Sequence, residues 1–150
     1  MKHFMMECPN GEYWNNTDLN ALYHAMITDY KNFWYTDNSE TIMCYYQGEA
    51  SWSRRCFSTI FAKANYADDE MIFLQYFNMT NGRTLYSLYD ESILSVSKMI
   101  FNGDEYSAGL FLPKELAWLA VKDFLETGKP SDKIRWIALE ELEKIEGASY

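Results

Sequence analysis

Carboxylates are the side chains of this sequence best suited to chemistry, and they occur in short runs. The runs are Asp68-Asp69-Glu70, Asp90-Glu91, Asp104-Glu105 and Glu140-Glu141 with Glu143. Paired carboxylates serve as acid and base in glycosidases, and clustered ones ligate calcium. These runs fall at predicted turns or on a terminal helix, without the glycine pattern of a calcium loop. We therefore predict solvated surface acids that attract basic groups of a partner, with no metal and no cofactor.

Few side chains could act as a nucleophile or a general base. His3 lies near the first residue, and His24 falls on the polar side of a predicted helix, where exposure to solvent is the expected state. Ser95 and Lys98 have Ser-x-x-Lys spacing, but that chemistry needs a helix and this segment alternates like a strand. The sequence therefore predicts a protein that is not an enzyme.

Aromatic residues make up 17% of the chain, and we expect that not all of them fit in its core. Tyrosine and tryptophan beside acids are typical anchors of protein interfaces, although we expect at least half of those near loops or outer strand faces to cover the edge of the core. The aromatic residues in such positions are Tyr13, Trp14, Trp34, Tyr35, Tyr45, Trp52, Tyr66, Tyr86 and Tyr89. The predicted binding residues are Asp68, Asp69, Glu70, Asp90, Glu91, Trp52 and Tyr89.

Charge and cysteine usage narrow the class of partner and the compartment. The chain has 13 basic and 22 acidic side chains, a formal charge of −9, which repels nucleic acid and anionic membranes; the same charge also suits mere solubility. Cys8, Cys44 and Cys56 show no metal-ligand spacing and predict free thiols, with no disulfide framework. The first seven residues lack the apolar run of a signal peptide. We expect a cytoplasmic protein with a single domain over residues 1–150.

The first half of the chain changes from helical to strand periodicity. A short strand and turn are predicted over residues 1–16, followed by a helix over 18–32 that Asn16 or Thr17 caps. Strands are predicted over 41–47, 56–64 and 70–79, with a loop over 48–55 that carries Trp52; the third strand is apolar on both sides and should be central.

Two Asn-Gly pairs predict tight hairpins. Asn81-Gly82 and Asn102-Gly103 separate alternating segments, and each fits a two-residue turn in which both residues have positive φ. The region from 41 to 112 is therefore predicted to be an antiparallel meander.

The C-terminal region is predicted to be mainly helical. Pro113 suits a first helical turn, Gly128 suits a helix C-cap and Pro130 prevents continuation. A strand with Trp136 over 133–137 and a helix over 138–146 with a Glu140–Lys144 pair should follow. The predicted fold class is α+β: a curved antiparallel sheet, a meander with two Asn-Gly hairpins, with helices on one face or end.

A block of C-terminal letters resembles a known family. The letters are Tyr106-Ser107-Ala108-Gly109-Leu110-Phe111-Leu112-Pro113, then Phe124-Leu125-Glu126-Thr127-Gly128-Lys129-Pro130, then Ile134-Arg135-Trp136. This block, residues 106–137, is similar to the closing segment of immunity protein family one of bacterial polymorphic toxin systems. In that family a Pro-led helix ends in a Phe-Leu-x-Thr-Gly turn, and a strand with a tryptophan follows. An acidic residue often comes next there, where this chain has Ile137. The block also has a structural explanation, in which Gly128 and Pro130 shape the turn and Phe124 packs with Trp136.

The resemblance implies a cytoplasmic immunity protein that binds one cognate toxin domain and blocks its active site or substrate surface. Members of the family protect against toxins of varied chemistry; a nuclease or nucleic-acid deaminase is favoured because such toxins have basic clefts. Two alternatives remain: a small-molecule-binding or enzymatic α+β domain with a pocket between sheet and helix, or a subunit of a cytosolic complex.

Overall fold

The computed structural model describes residues 4–36, 38–46 and 56–150, and the predicted binding residue Trp52 lies outside these ranges. The fold is α+β, as predicted, with an open and curled antiparallel sheet. The strands are β1 Phe4–Glu7, β2 Tyr13–Asn15, β3 Glu40–Tyr45, β4 Ser58–Ala64, β5 Met71–Asn78, β6 Thr84–Leu88, β7 Ser97–Met99, β8 Glu105–Ser107, β9 Phe111–Pro113 and β10 Arg135–Ala138.

The predicted meander is confirmed from β3 to β6, where each strand pairs with the next. The main sheet has the order β10-β6-β5-β4-β3-β1-β2, and β9 pairs with the first residues of β5. The meander was predicted to continue to residue 112, which is wrong: β7 and β8 form a separate two-stranded sheet. A 3-10 turn, Glu91–Ile93, lies between β6 and β7.

Both Asn-Gly pairs form hairpin loops, but neither is the predicted two-residue turn. Gly82 and Gly103 have positive φ and the asparagines before them do not. The loop between β5 and β6 spans residues 79–83, and the Asn78 side chain accepts hydrogen bonds from the amides of Thr80 and Asn81. That side-chain contact stabilises a longer loop with one left-handed residue.

The predicted N-terminal helix is divided into three short pieces. They are α1 Leu19–Tyr23, a π-helix over His24–Thr28 and α2 Tyr30–Trp34. Asn16 or Thr17 was predicted to cap the helix, which is wrong. The Asp18 carboxylate caps it instead and accepts a hydrogen bond from the amide of Ala21 at 3.1 Å. The three pieces nevertheless bury one apolar face, because the wider π turn changes the helical phase by only part of a turn. The buried residues of this face are Leu22, Met26, Ile27 and Tyr30.

The remaining helices are α3 Lys114–Thr127 and α4 Leu139–Leu142. Pro113 precedes α3 as its N-cap residue and does not lie within its first turn. Gly128 ends α3 with φ of +73°, the left-handed cap that the sequence predicted. The predicted Glu140–Lys144 pair is wrong, because α4 ends early and Lys144 instead contacts Glu141 at 3.5 Å.

Two hydrophobic cores lie on opposite faces of β5. The larger core contains Ile72 and Leu74 from β5, together with residues of α1, the π-helix, α2 and α3, including Met26 and Phe124. The smaller core contains Phe73 from β5, packed with residues of β6, β9 and the β7–β8 segment. Alternating residues of one strand therefore supply both cores, which explains why β5 is apolar on both sides.

The Cys44–Cys56 pair differs from the sequence-based prediction. These cysteines were expected to be free thiols, but they form a disulfide with their Cα atoms 5.8 Å apart. Cys8 is a free cysteine and is buried. Sequence spacing alone did not reveal the pair because Cys44 in β3 and Cys56 before β4 come together only when those two strands pair.

Candidate functional site

The turn between β4 and β5 carries three predicted binding residues, and a buried polar group fixes its shape. Asn65 is fully buried, and its side-chain oxygen accepts hydrogen bonds from the Tyr30 hydroxyl at 2.8 Å and the Met71 amide at 2.6 Å. The β7–β8 hairpin holds the other side of the turn, because the Tyr66 amide donates to the Met99 carbonyl at 2.8 Å. The acids that follow are therefore presented from a fixed backbone.

Two of the three acids in this turn already have partners within the chain. Asp69 accepts from the Lys98 ammonium at 2.6 Å and also from the Asn65 side chain. Burial raises the pKa of Asp69, but these hydrogen bonds outweigh it and the net pKa is lowered. Glu70 forms an ion pair with Lys114 at the start of α3. Both acids therefore contribute to the packing of the turn against neighbouring segments.

Asp68 is different, because its side chain is fully exposed. Its ion pair with Lys31 of α2 is loose, with 3.9 Å between the ammonium and the carboxylate, and the Lys31 side chain is itself mostly exposed. Exposed pairs of this kind contribute little to stability. Of the three acids of the turn, Asp68 is therefore the one best placed to meet a partner.

Three aromatic rings lie beside Asp68, and we call them the ring cluster: Tyr35, Tyr66 and Phe101. Tyr35 and Phe101 stack almost parallel, 7° apart, with centroids separated by 5.2 Å. Tyr66 stands edge-on to both, with centroids at 5.1 and 5.2 Å. Tyr66 is 55% exposed and Phe101 38% exposed, so the cluster presents contiguous aromatic surface to solvent.

The ring cluster and Asp68 line an open cavity of about 480 Å³, together with Lys31 and Ala67. The pKa of Tyr35 is raised, mainly by burial and then by the charge of Glu70, with smaller contributions from Tyr66 and Asp68. Nearby acids therefore contribute less to this shift than burial does. The arrangement is thus an amphipathic surface, aromatic at its base and acidic at its rim.

The other predicted residues form a separate group around Arg135 of β10. The Arg135 guanidinium donates to Glu91 Oε1 at 2.9 Å and to the Tyr89 carbonyl at 2.7 Å. Asp90 caps the 3-10 turn through Ser92, whose hydrogen bonds lower the pKa of the Asp90 carboxyl. Tyr89 is 45% exposed. The structure therefore brings Tyr89, Asp90 and Glu91 together, but does not place them with the acids of the β4–β5 turn.

Sequence reasoning named Tyr35 and Tyr66 among the candidate aromatic residues, but it missed Phe101 and did not group the three rings. Tyr66 lies within a predicted turn, and Phe101 directly precedes the Asn102-Gly103 turn. A position in or beside a turn was a usable signal that these rings are exposed. Among the other candidate aromatic residues, Trp34 and Tyr86 are buried and Tyr13 is exposed. Trp14 and Tyr45 are half-buried, so at least half of the described candidates do cover the core, as expected.

A second cavity, of about 200 Å³, lies between the β1–β2 hairpin and the N-terminal helices. Cys8, Asp29 and Asn32 are among the residues that line it. Burial, and then the charges of Glu12 and Glu7, raise the pKa of Cys8 to about 12, so this sulfur stays a thiol and is a weak nucleophile. In the described part of the chain, no three His, Cys, Asp or Glu side chains group closely enough to hold a metal ion.

The C-terminal block of residues 106–137 has a structural role. The Gly128 carbonyl accepts a hydrogen bond from the Ser58 hydroxyl at 2.6 Å, which ties the end of α3 to β4. Phe124 and Trp136 both contact Tyr76, with centroids 6.2 and 6.3 Å from it, so their predicted packing is made through that ring. These residues fix the helix against the sheet.

No helix among the described residues is both long enough and apolar enough to span a membrane. Comparison of the sequence with models of protein families and with curated proteins finds no match.

Proposed function

We propose that this chain is an immunity protein, which binds a cognate toxin domain and blocks the active site or substrate surface of that domain. It acts by surface complementarity and carries out no reaction of its own. The observation that carries the proposal is the ring cluster beside the exposed Asp68, since aromatic anchors with an acidic rim are typical of protein interfaces. The resemblance of residues 106–137 to the immunity family supports the same role.

The proposed target is a basic toxin domain, a nuclease or a nucleic-acid deaminase. A net charge of −9 would steer a basic partner toward this protein and raise the association rate at low ionic strength. The Arg135 group, with Tyr89, Asp90 and Glu91, adds a second acidic and aromatic surface that a large partner could reach.

The proposed compartment is the cytoplasm, where an immunity protein meets an incoming toxin. A Cys44–Cys56 disulfide is more typical of oxidising compartments, and in the cytoplasm we expect the pair to be reduced. Alkylation of thiols in freshly lysed cells, followed by mass spectrometry, tests this. A fully oxidised pair in the cell would contradict the cytoplasmic assignment.

Co-expression tests the function directly. The proposal expects a gene for a large secreted toxin to lie directly upstream, and the probe is the C-terminal domain of that gene's product. The expected result is rescue of growth and co-purification of the two chains. If this toxin kills cells that express the protein at a high level, and the two chains do not co-purify, the proposal is wrong.

Charge reversal at one residue tests the role of the acidic rim. Asp68→Lys should slow association with the toxin and flatten its dependence on salt, because the residue is exposed and makes only a loose contact. Reversing Asp69 or Glu70 would be less informative, since both hold the fold together through Lys98 and Lys114.

Glu126→Lys is the matched control. Glu126 is exposed near the end of α3, and the substitution makes the same change in net charge away from the cavity. Stopped-flow association rates at several salt concentrations should separate the two variants. Equal effects would mean that only net charge matters and would remove Asp68 from the interface.

A further inference from the structure

The cavity beside the ring cluster combines two features that together select a ligand chemistry. Its lining provides exposed aromatic surface from Tyr66 and Phe101, and it carries one fully exposed carboxylate, Asp68. Aromatic faces and a carboxylate both favour a cation, and a flat cation is favoured most because it can stack on a ring while pairing with an acid.

We propose that this cavity binds an arginine side chain of the partner protein, with the guanidinium stacked on the ring cluster and paired with Asp68. The inference deepens the proposed function, on which it rests for the identity of the partner as a basic toxin domain. It assigns that domain an arginine at the centre of the contact.

The geometry of the rings determines where the guanidinium lies. A cation sandwiched between two rings needs them about 7 Å apart, two contacts of roughly 3.5 Å each. Tyr35 and Phe101 have centroids only 5.2 Å apart and are nearly parallel, so no group fits between them. The guanidinium therefore lies on the solvent side of the cluster, within the open volume of about 480 Å³.

Lys31 occupies part of the position that the arginine would take. Its ammonium lies 3.9 Å from the Asp68 carboxylate and lines the same cavity. A contact of this length and exposure is easily displaced, so an incoming guanidinium would exchange with Lys31 at the carboxylate. This exchange predicts opposite effects for substitutions at the two residues, which a merely structural role would not produce.

The test uses blocked amino acids as probes and the isolated protein. N-acetyl-arginine amide is titrated while the backbone amide signals of Ala67 and Asp68 are followed by NMR, beside the lysine analogue and the neutral isostere N-acetyl-citrulline amide. We expect saturable shifts centred on these two amides, strongest for arginine, weaker for lysine and near zero for citrulline. Equal responses to arginine and citrulline, or shifts centred elsewhere, would overturn the proposal.

Variants then assign the site. Asp68→Asn should weaken arginine binding roughly two- to fivefold, the range of an exposed ion pair. Tyr66→Leu should weaken it by a similar factor, roughly two- to fivefold, through loss of the ring. Lys31→Gln should strengthen it about twofold, because the competing ammonium is gone. Asp68→Asn and Lys31→Gln acting in the same direction would contradict the exchange.

These outcomes can be separated from failure of the proposed function. Because the titration needs no toxin, arginine binding at this cavity without rescue by co-expression would keep the site and remove the immunity role. Rescue of growth with no arginine-specific shifts in the isolated protein would keep the immunity role and reject the arginine site.

Discussion

Individual acids that look alike in the sequence have different roles in the folded chain. Asp68 and Asp69 are neighbours in one predicted turn, and the sequence correctly placed both in a turn at the surface. Asp68 pairs with Lys31 and Asp69 with Lys98. Both lysines lie in distant segments that no local pattern connects to the turn. Distinguishing a packed acid from an exposed one therefore required the tertiary structure.

Asp69 should make the stability of the protein depend on pH in the acid range. Its pKa is lowered from 3.8 in the folded state, so its contribution is present above the unfolded-state value and is lost as the pH falls through the folded-state value. We expect Asp69→Asn to lower the free energy of unfolding at pH 7, and the gap to the wild type to narrow as the pH falls below 3.8.

Urea denaturation over a series of pH values measures this gap. Asp68→Asn removes the same charge from an exposed position and should change the free energy of unfolding by less than about 0.5 kcal/mol. A gap between the wild type and Asp69→Asn that widens toward low pH would show that the ion pair with Lys98 does not form in solution.

Elements were predicted best where one local signal dominates. The left-handed end of α3 at Gly128 and the central position of β5 follow from residue type and apolar content, and both were correct. The loop between β5 and β6 was predicted wrongly because the Asn78 side chain accepts hydrogen bonds that favour a longer loop. The grouping of the three rings could not be predicted from a local signal, since three separate segments supply Tyr35, Tyr66 and Phe101.

Two glycines with the same backbone conformation should respond differently to alanine. Gly128 and Gly82 have φ of +73° and +72°, but a Cβ at Gly128 would lie 2.4 Å from the Tyr45 ring, whereas at Gly82 it would meet nothing within 4 Å. Gly82→Ala should cost about 1 kcal/mol of stability from backbone strain alone. Gly128→Ala should cost about 1–3 kcal/mol more, from displacement of Tyr45.

Urea denaturation of both variants gives the comparison, with Gly82→Ala as the matched control for backbone strain. Equal losses would mean that Tyr45 moves away freely and that the end of α3 does not pack tightly on the sheet.

The whole molecule combines an excess of acids with a sheet that has a core on each face. Its charge and fold class could be predicted from composition and periodicity, and the fold class was confirmed. The β7–β8 hairpin was also predicted from Asn102-Gly103, but its separation from the main sheet was not, because no local pattern reveals the Asn65–Ile100 bridge that joins it to the β4–β5 turn. Phe101 lies in the loop of that hairpin, so a part of the fold whose position was not predicted contributes to the candidate site.

Since β5 supplies alternate residues to two cores, the molecule should melt as one cooperative unit. Leu110→Ala, in the smaller core, should lower the urea midpoint for the methyl signals of Ile100 there and of Ile60 in the larger core by the same amount. NMR spectra across a urea series would measure both, and separate midpoints would mean that each face unfolds alone. A strand shared in this way allows neither layer to loosen independently of the other.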